Sequence, residues 1–258
     1  MSIVKKIFFV VCFSLLYSMA FSQQTGQLFK SLDKKELMSR LFPGATFNDR
    51  QEAVWKTDTT DNVRLPVSSD GFCYTQLDTL ILFKDKNLVH KTSVERAAVV
   101  FITSGYQDNE LDNCHACAPA IGVATFTKTA NKIWKLDQFK TYVTSHGAWG
   151  KRGKLGVERF CDQLFCLKLV AKYYGQGNTE GIVSYFSLSG NINEVLAYQS
   201  LSSNDGAVEN GFLEETTLEK LPGDGCTVEL TTRRDVPESV KKKIYRYSET
   251  NKIFELVR

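Results

Sequence analysis

The sequence predicts a mainly β protein: an antiparallel meander forming a sandwich or barrel-like domain, with one short N-terminal helix. Three observations carry this. From about residue 72 to 258 the chain is a succession of short runs rich in Val, Ile, Thr, Phe and Tyr, punctuated by Gly, Asn, Asp and Ser. Several successive runs are joined by short turn-forming segments, which implies antiparallel neighbours. Near residue 33, a helix start signal is followed by apolar residues at helical spacing.

The first 22 residues stand apart. Lys5 and Lys6 precede an apolar run from Ile7 to Tyr17, and Ser18-Met19-Ala20-Phe21-Ser22 supplies small residues where a signal peptidase needs them. Residues 1–22 are therefore predicted to be a signal peptide cut between Ser22 and Gln23, leaving 23–258 as a single exported β-rich domain. The apolar run is about eleven residues long, too short to span a bilayer. Cys12 lies inside it with no small residues before it, so it reads as signal and not as a lipidation site. Its removal takes two lysines and no acids, so the net charge falls from +3 to +1 over 236 residues. With no basic run interleaved with aromatics, nucleic acid is not expected as a partner. No later apolar stretch approaches the length of a membrane helix, so no transmembrane segment is expected in the mature chain.

Asp33 and Glu36 have the spacing of a capping box, with Leu32 and Leu37 placed as its hydrophobic staple. Leu37, Met38, Leu41 and Phe42 recur at helical spacing, and Pro43-Gly44 stops the run, which predicts a helix over about 33–42. A helix of this length is not stable alone, so it should lay its apolar side on a sheet. Strands are predicted near 72–77, 79–84, 97–104, 120–128, 132–139, 155–160, 164–174, 181–188, 193–199, 226–232, 243–247 and 252–257. Thr129-Ala130-Asn131, Ser189-Gly190-Asn191-Ile192 and Ser248-Glu249-Thr250-Asn251 are the predicted hairpin connections. The stretch from Phe212 to Leu221 suits either a helical turn or a strand. Between 164 and 173, Phe165, Leu167, Leu169, Ala171 and Tyr173 form one apolar face and Lys168 and Lys172 mark the other, the pattern of a strand with one side in the core.

Six cysteines remain after the signal: Cys73, Cys114, Cys117, Cys161, Cys166 and Cys226. An even count in an exported chain points to a disulfide framework. The simplest pairing joins neighbours, Cys114 with Cys117 and Cys161 with Cys166, and leaves Cys73 with Cys226. The second of these requires a chain turn at Asp162-Gln163, because five residues apart on one strand the side chains oppose.

Asp112-Asn113-Cys114-His115-Ala116-Cys117-Ala118-Pro119 is the segment richest in potential chemistry. Its C-x-x-C pair suits a structural bridge, a redox disulfide or a metal hairpin, and Cys114, His115 and Cys117 are the candidate redox or metal residues. A redox cysteine favours a helix N-terminus, whereas Ile121 to Phe126 reads as strand. Covalent haem requires the histidine after the second cysteine. Zinc requires two more ligands, which His90, His146, Cys161 or Cys166 could supply only through tertiary folding. The same segment, with Gly147-Ala148-Trp149-Gly150 beyond it, resembles a family of uncharacterised exported bacterial proteins that share a CHAC…GxWG pattern. The resemblance covers about residues 113–150 and implies shared architecture and export, with no known activity.

No nucleophile motif is present, and His146 is the best lone base. Its alternative is a loop histidine beside a packed tryptophan. The acidic loop 108–113 lacks the spacing of a calcium loop. The expected role is therefore a non-enzymatic binding or structural envelope protein, periplasmic or extracellular, with no cofactor and an envelope or extracellular partner or ligand. The alternative is thiol-disulfide redox or metal-dependent activity at the CHAC motif.

Overall fold

Asp33 starts the predicted helix by accepting a hydrogen bond from the Glu36 amide at 2.9 Å. The computed structural model describes residues 25–56, 65, 68, 70–87, 92–105, 118–148, 151–162, 164–175, 177–204, 211–223 and 225–257. Helix α1 spans Lys34–Leu41. Only half of the capping box closes in the predicted way. The Glu36 carboxylate passes over Asp33 and accepts from the amides of Lys30 and Ser31, both at 3.0 Å. Leu37, Met38 and Leu41 are buried, as their spacing requires.

Strand makes up 67% and helix 4% of the structure, so the mainly β, antiparallel expectation holds. Seven strands form a first sheet: β1 (Leu28–Phe29), β2 (Thr46–Phe47), β3 (Ala53–Lys56), β4 (Phe72–Asn87), β5 (Thr92–Ser104), β6 (Ala120–Lys128) and β7 (Trp134–Thr144). β2 to β7 follow one another as a meander, and β1 pairs with β7 at the far edge. The predicted break between residues 77 and 79 is a register shift inside one long strand, β4. β1, β2 and β3 were not predicted, since two to four residues are too few to show a period.

A short hairpin, β8 (Gly147–Ala148) with β9 (Lys151–Arg152), leads to the second sheet. That sheet is an eight-stranded meander: β10 (Lys154–Cys161), β11 (Leu164–Gly175), β12 (Asn178–Ser187), β13 (Glu194–Asn204), β14 (Leu213–Lys220), β15 (Thr227–Arg234), β16 (Ser239–Ser248) and β17 (Ile253–Leu256). The ambiguous stretch 212–221 is thus strand. All three predicted hairpins join antiparallel neighbours.

Three apolar clusters result. On one face of the first sheet, Phe101, Phe126 and Leu136 meet Leu37, Met38 and Leu41 of α1. On its other face, Ala98, Val100, Ile121 and Val123 meet Phe165, Leu167, Leu169 and Phe186 of the second sheet. Inside the second sheet, Leu164, Cys166, Val183, Tyr185, Val228 and Phe254 form the third. β11 therefore buries both faces. The lysine-bearing side predicted to face water lines this inner cluster, with Cys166 fully buried.

The second sheet curls into a half-barrel, and aromatic side chains of its first and last strands meet inside it. The Phe160 and Phe254 rings lie 5.1 Å apart. A disulfide joins Cys161, at the end of β10, to Cys226, just before β15 (Cα–Cα 5.3 Å). This replaces two expected pairings, Cys161 with Cys166 and Cys73 with Cys226. The chain does turn after Cys161, but the curl brings Cys226 to it while Cys166 stays in the strand interior. Cys73 sits buried on β4 in the other sheet.

Candidate functional site

Strand alternation places Glu158 and Phe160 of β10 on the inner side of the half-barrel, opposite Cys166 of β11. Lys168 lies two residues further along β11 and faces Tyr185 of β12 across the ladder. The curl then brings in Lys220 from the end of β14. Glu158 accepts from Lys220 Nζ at 2.9 Å, from Lys168 Nζ at 3.3 Å and from the Tyr185 hydroxyl at 3.3 Å. Lys220 also donates to the Arg159 carbonyl at 2.7 Å and lies over the Phe160 ring.

The electrostatics follow from these contacts. Burial alone would raise the Glu158 carboxyl, but the hydrogen bonds and charges of Lys220 and Lys168 outweigh it and hold the group below its ordinary value of 4.5. Burial raises the Tyr185 phenol far out of range and raises the Cys166 thiol likewise. Glu158 is thus held ionised, Tyr185 neutral and Cys166 protonated. A carboxylate locked between two ammonium groups is a poor proton carrier, and a buried thiol is a poor nucleophile. The cluster is a clasp across the curl.

Because the carboxyl is depressed in the folded state, its contribution to stability is present above the ordinary value and is lost as the pH falls through the folded value. Acid unfolding of the native chain should steepen below pH 4.5. In Glu158→Gln that component should disappear; urea midpoints measured across the acid range check it, and identical acid limbs would sink the clasp.

The second polar constellation lies at the corner after β7. Ser145 Oγ lies 3.0 Å from the Ala118 carbonyl and 3.3 Å from that of Pro119. The next residue, His146, sets Nδ1 3.1 Å from the Tyr173 hydroxyl of β11. The Gly147 amide donates to the same oxygen at 3.3 Å, leaving the phenol proton free to point at Nδ1. Burial lowers the imidazole from its ordinary value, against the opposing charge of Glu194. Arg152 closes the corner on Asp78 of β4 at 2.6 Å. Gly147, at φ +154°, passes so close to Lys151 that a Cβ would overlap its carbonyl oxygen. His146 therefore works as a fixed neutral partner of Tyr173, joining the two sheets, and not as a lone base in an open cleft.

The other sequence candidates divide. Ser22, Gln23, His90, the acidic loop 108–113, Cys114, His115, Cys117 and Trp149-Gly150 lie outside the described residues. Among the described residues no cluster of His, Cys, Asp and Glu could hold a metal ion. Burial pushes the Cys73 thiol up to about 11. No sequence motif singles out Glu158, Lys220 or Tyr185, and Lys168 stands out only as part of a charged strand face. The available signal was the charged face of the run 164–173, which reads as solvent-facing until the curl is known.

A third feature is apolar and exposed. Among the described residues, six of the twelve exposed large apolar side chains belong to the final strands and their turns: Leu213, Val236, Val240, Ile253, Leu256 and Val257. Leu213 and Val240, with Arg233, Asp235 and Glu238, border an open depression of about 340 Å³. No helix is long and apolar enough to cross a membrane among the described residues. No protein-family model, curated protein or solved structure matches the chain.

Proposed function

We propose that the chain is an exported, non-enzymatic binding protein whose contact surface is the β14–β17 end of the half-barrel. The observation that carries the reading is the open depression of about 340 Å³ bordered by Leu213 and Val240, both of them exposed, since solvent-facing apolar surface beside a concavity on a folded protein marks an interaction site. The paired state of the charges inside the curl supports it as well. Glu158 is occupied by Lys168, Lys220 and Tyr185, and Cys166 is shielded. In this reading residues 1–22 direct export and are removed after Ser22, the protein works in the periplasm or outside the cell, and neither nucleic acid nor a cofactor takes part.

Thiol labelling separates this from redox or metal chemistry at Cys114, His115 and Cys117. Alkylation of the native exported protein without reductant should add no group at Cys114, Cys117 or Cys166. Unfolding, still without reductant, should make Cys166 reactive, and reduction should then release Cys161 and Cys226 as a pair. Intact mass reads each stage and tests a chain beginning at Gln23. Native labelling of Cys114 and Cys117, or labelling that appears only with a chelator, would reject the binding reading in favour of chemistry at that motif.

A further inference from the structure

We propose that the open edge of β16, from Ser239 to Lys243, receives an extended acidic peptide as an added antiparallel strand in line with β17. The inference rests on the binding reading above and names its site and class of partner.

β16 is covered unequally. On its inner side β15 pairs with it from Ser239 to Arg246. On its outer side β17 covers only Tyr245 to Ser248, with one more bond from the Val257 amide to the Ile244 carbonyl at 2.7 Å. Among the described residues, Ser239 to Lys243 has no outer strand. Since the Ile244 carbonyl points outward, alternation turns the peptide groups of Lys242 and Val240 the same way. Their amides and carbonyls form an unpaired edge that continues the β17 ladder, the kind of template to which a peptide strand adds.

The side chains specify the occupant. Lys241 and Lys243 share the face of Tyr245 and Tyr247, and no ion pair engages either among the described residues. Lys242, on the opposite face, is already held by Glu229 at 2.7 Å. An added strand would set acidic residues opposite Lys241 and Lys243, two apart on one face, at the close spacing of a non-hydrogen-bonded pair. Its intervening residues would lie opposite Lys242 and Val240, and Val240 is 59% exposed and offers an apolar contact. A second copy of this chain is disfavoured, because pairing two such edges sets lysine against lysine.

The test uses the mature chain and a short fluorescent peptide of alternating glutamate and valine, read by anisotropy. Three comparison peptides are its lysine counterpart, an analogue N-methylated on the valines, and one N-methylated on the glutamates. Saturable binding of the acidic peptide is expected, weakened roughly tenfold in Lys241→Glu/Lys243→Glu, which should bind the lysine peptide instead. Methylated valines should abolish binding, because their amides face β16, and methylated glutamates should be tolerated. An unchanged circular dichroism spectrum and melting point for the variant exclude misfolding, since all three lysines are exposed. Equal binding of both methylated peptides, equal binding of the lysine peptide to the native chain, no binding, or a concentration-dependent dimer that the peptide dissolves would each overturn the proposal. If the peptide fails while Cys114 and Cys117 stay unlabelled, the edge assignment alone is lost; native labelling removes the binding reading itself.

Discussion

Cys226→Ser is expected to lower stability by about 4 kcal/mol, the chain-entropy value for a loop of this size. The bridge to Cys161 spans a sequence separation of 65, and the unfolded chain without it gains the freedom of that whole loop. The melting point should fall by roughly 10 °C. Three controls separate this from a packing effect. Cys161→Ser should match it, the double substitution should add nothing further, and reductant should bring the native chain down to the same level. Cys166→Ser tests a different quantity, because Cys166 is a fully buried free thiol inside the curl. Its cost should come from placing a hydroxyl among apolar neighbours, and it should be insensitive to reductant. Equal melting points for Cys226→Ser and the native chain would remove the bridge from the architecture.

Phe165→Ala is the second large effect. Phe165 projects from β11 into the cluster shared by both sheets and lies 5.1 Å from the Phe83 ring of β4. Truncating a buried phenylalanine costs roughly 3–5 kcal/mol, from lost transfer free energy and the cavity left behind. Because the cavity opens between the sheets, both should lose stability together, seen as one cooperative transition moving as a whole. Phe83→Ala should cost less, since Phe83 is only partly buried. The double substitution should fall short of the sum, because the rings are each other's contact. Two separate transitions in the variant, with one sheet unaffected, would show that the sheets do not depend on a common core.

What the sequence makes legible is local. The bounds of β6 are read to the residue, Ala120 to Lys128, because an apolar run is bracketed by Pro119 and by Thr129-Ala130-Asn131. Helix α1 is readable because its cap, staple and stop lie within about ten residues. What is lost depends on residues far apart in the chain. The run 164–173 alternates lysine-bearing and apolar positions, as it would beside water, and only the curl of the second sheet covers both sides. Neighbouring cysteines are the natural guess for a bridge until strand pairing brings Cys226 to Cys161. The clasp fails to register for the same reason: Glu158 and Lys220 lie 62 positions apart along the chain, and no local pattern joins them. The His146 corner is half legible, since the histidine stands out but its Tyr173 partner belongs to the other sheet.

The position of β1 sets an order of assembly. Leu28 pairs with Lys135 and Phe29 with Trp134, so the earliest strand must wait for the latest strand of its own sheet before it can dock. In the second sheet every strand after β10 joins its predecessor, so no strand pairing there waits for a distant segment. Hairpins of that kind close in microseconds, whereas long-range pairings must first overcome the entropy of closing the loop. A chain emerging from its N-terminus would hold Leu28 and Phe29 unpaired until β7 has followed. The second sheet can zip up strand by strand behind it.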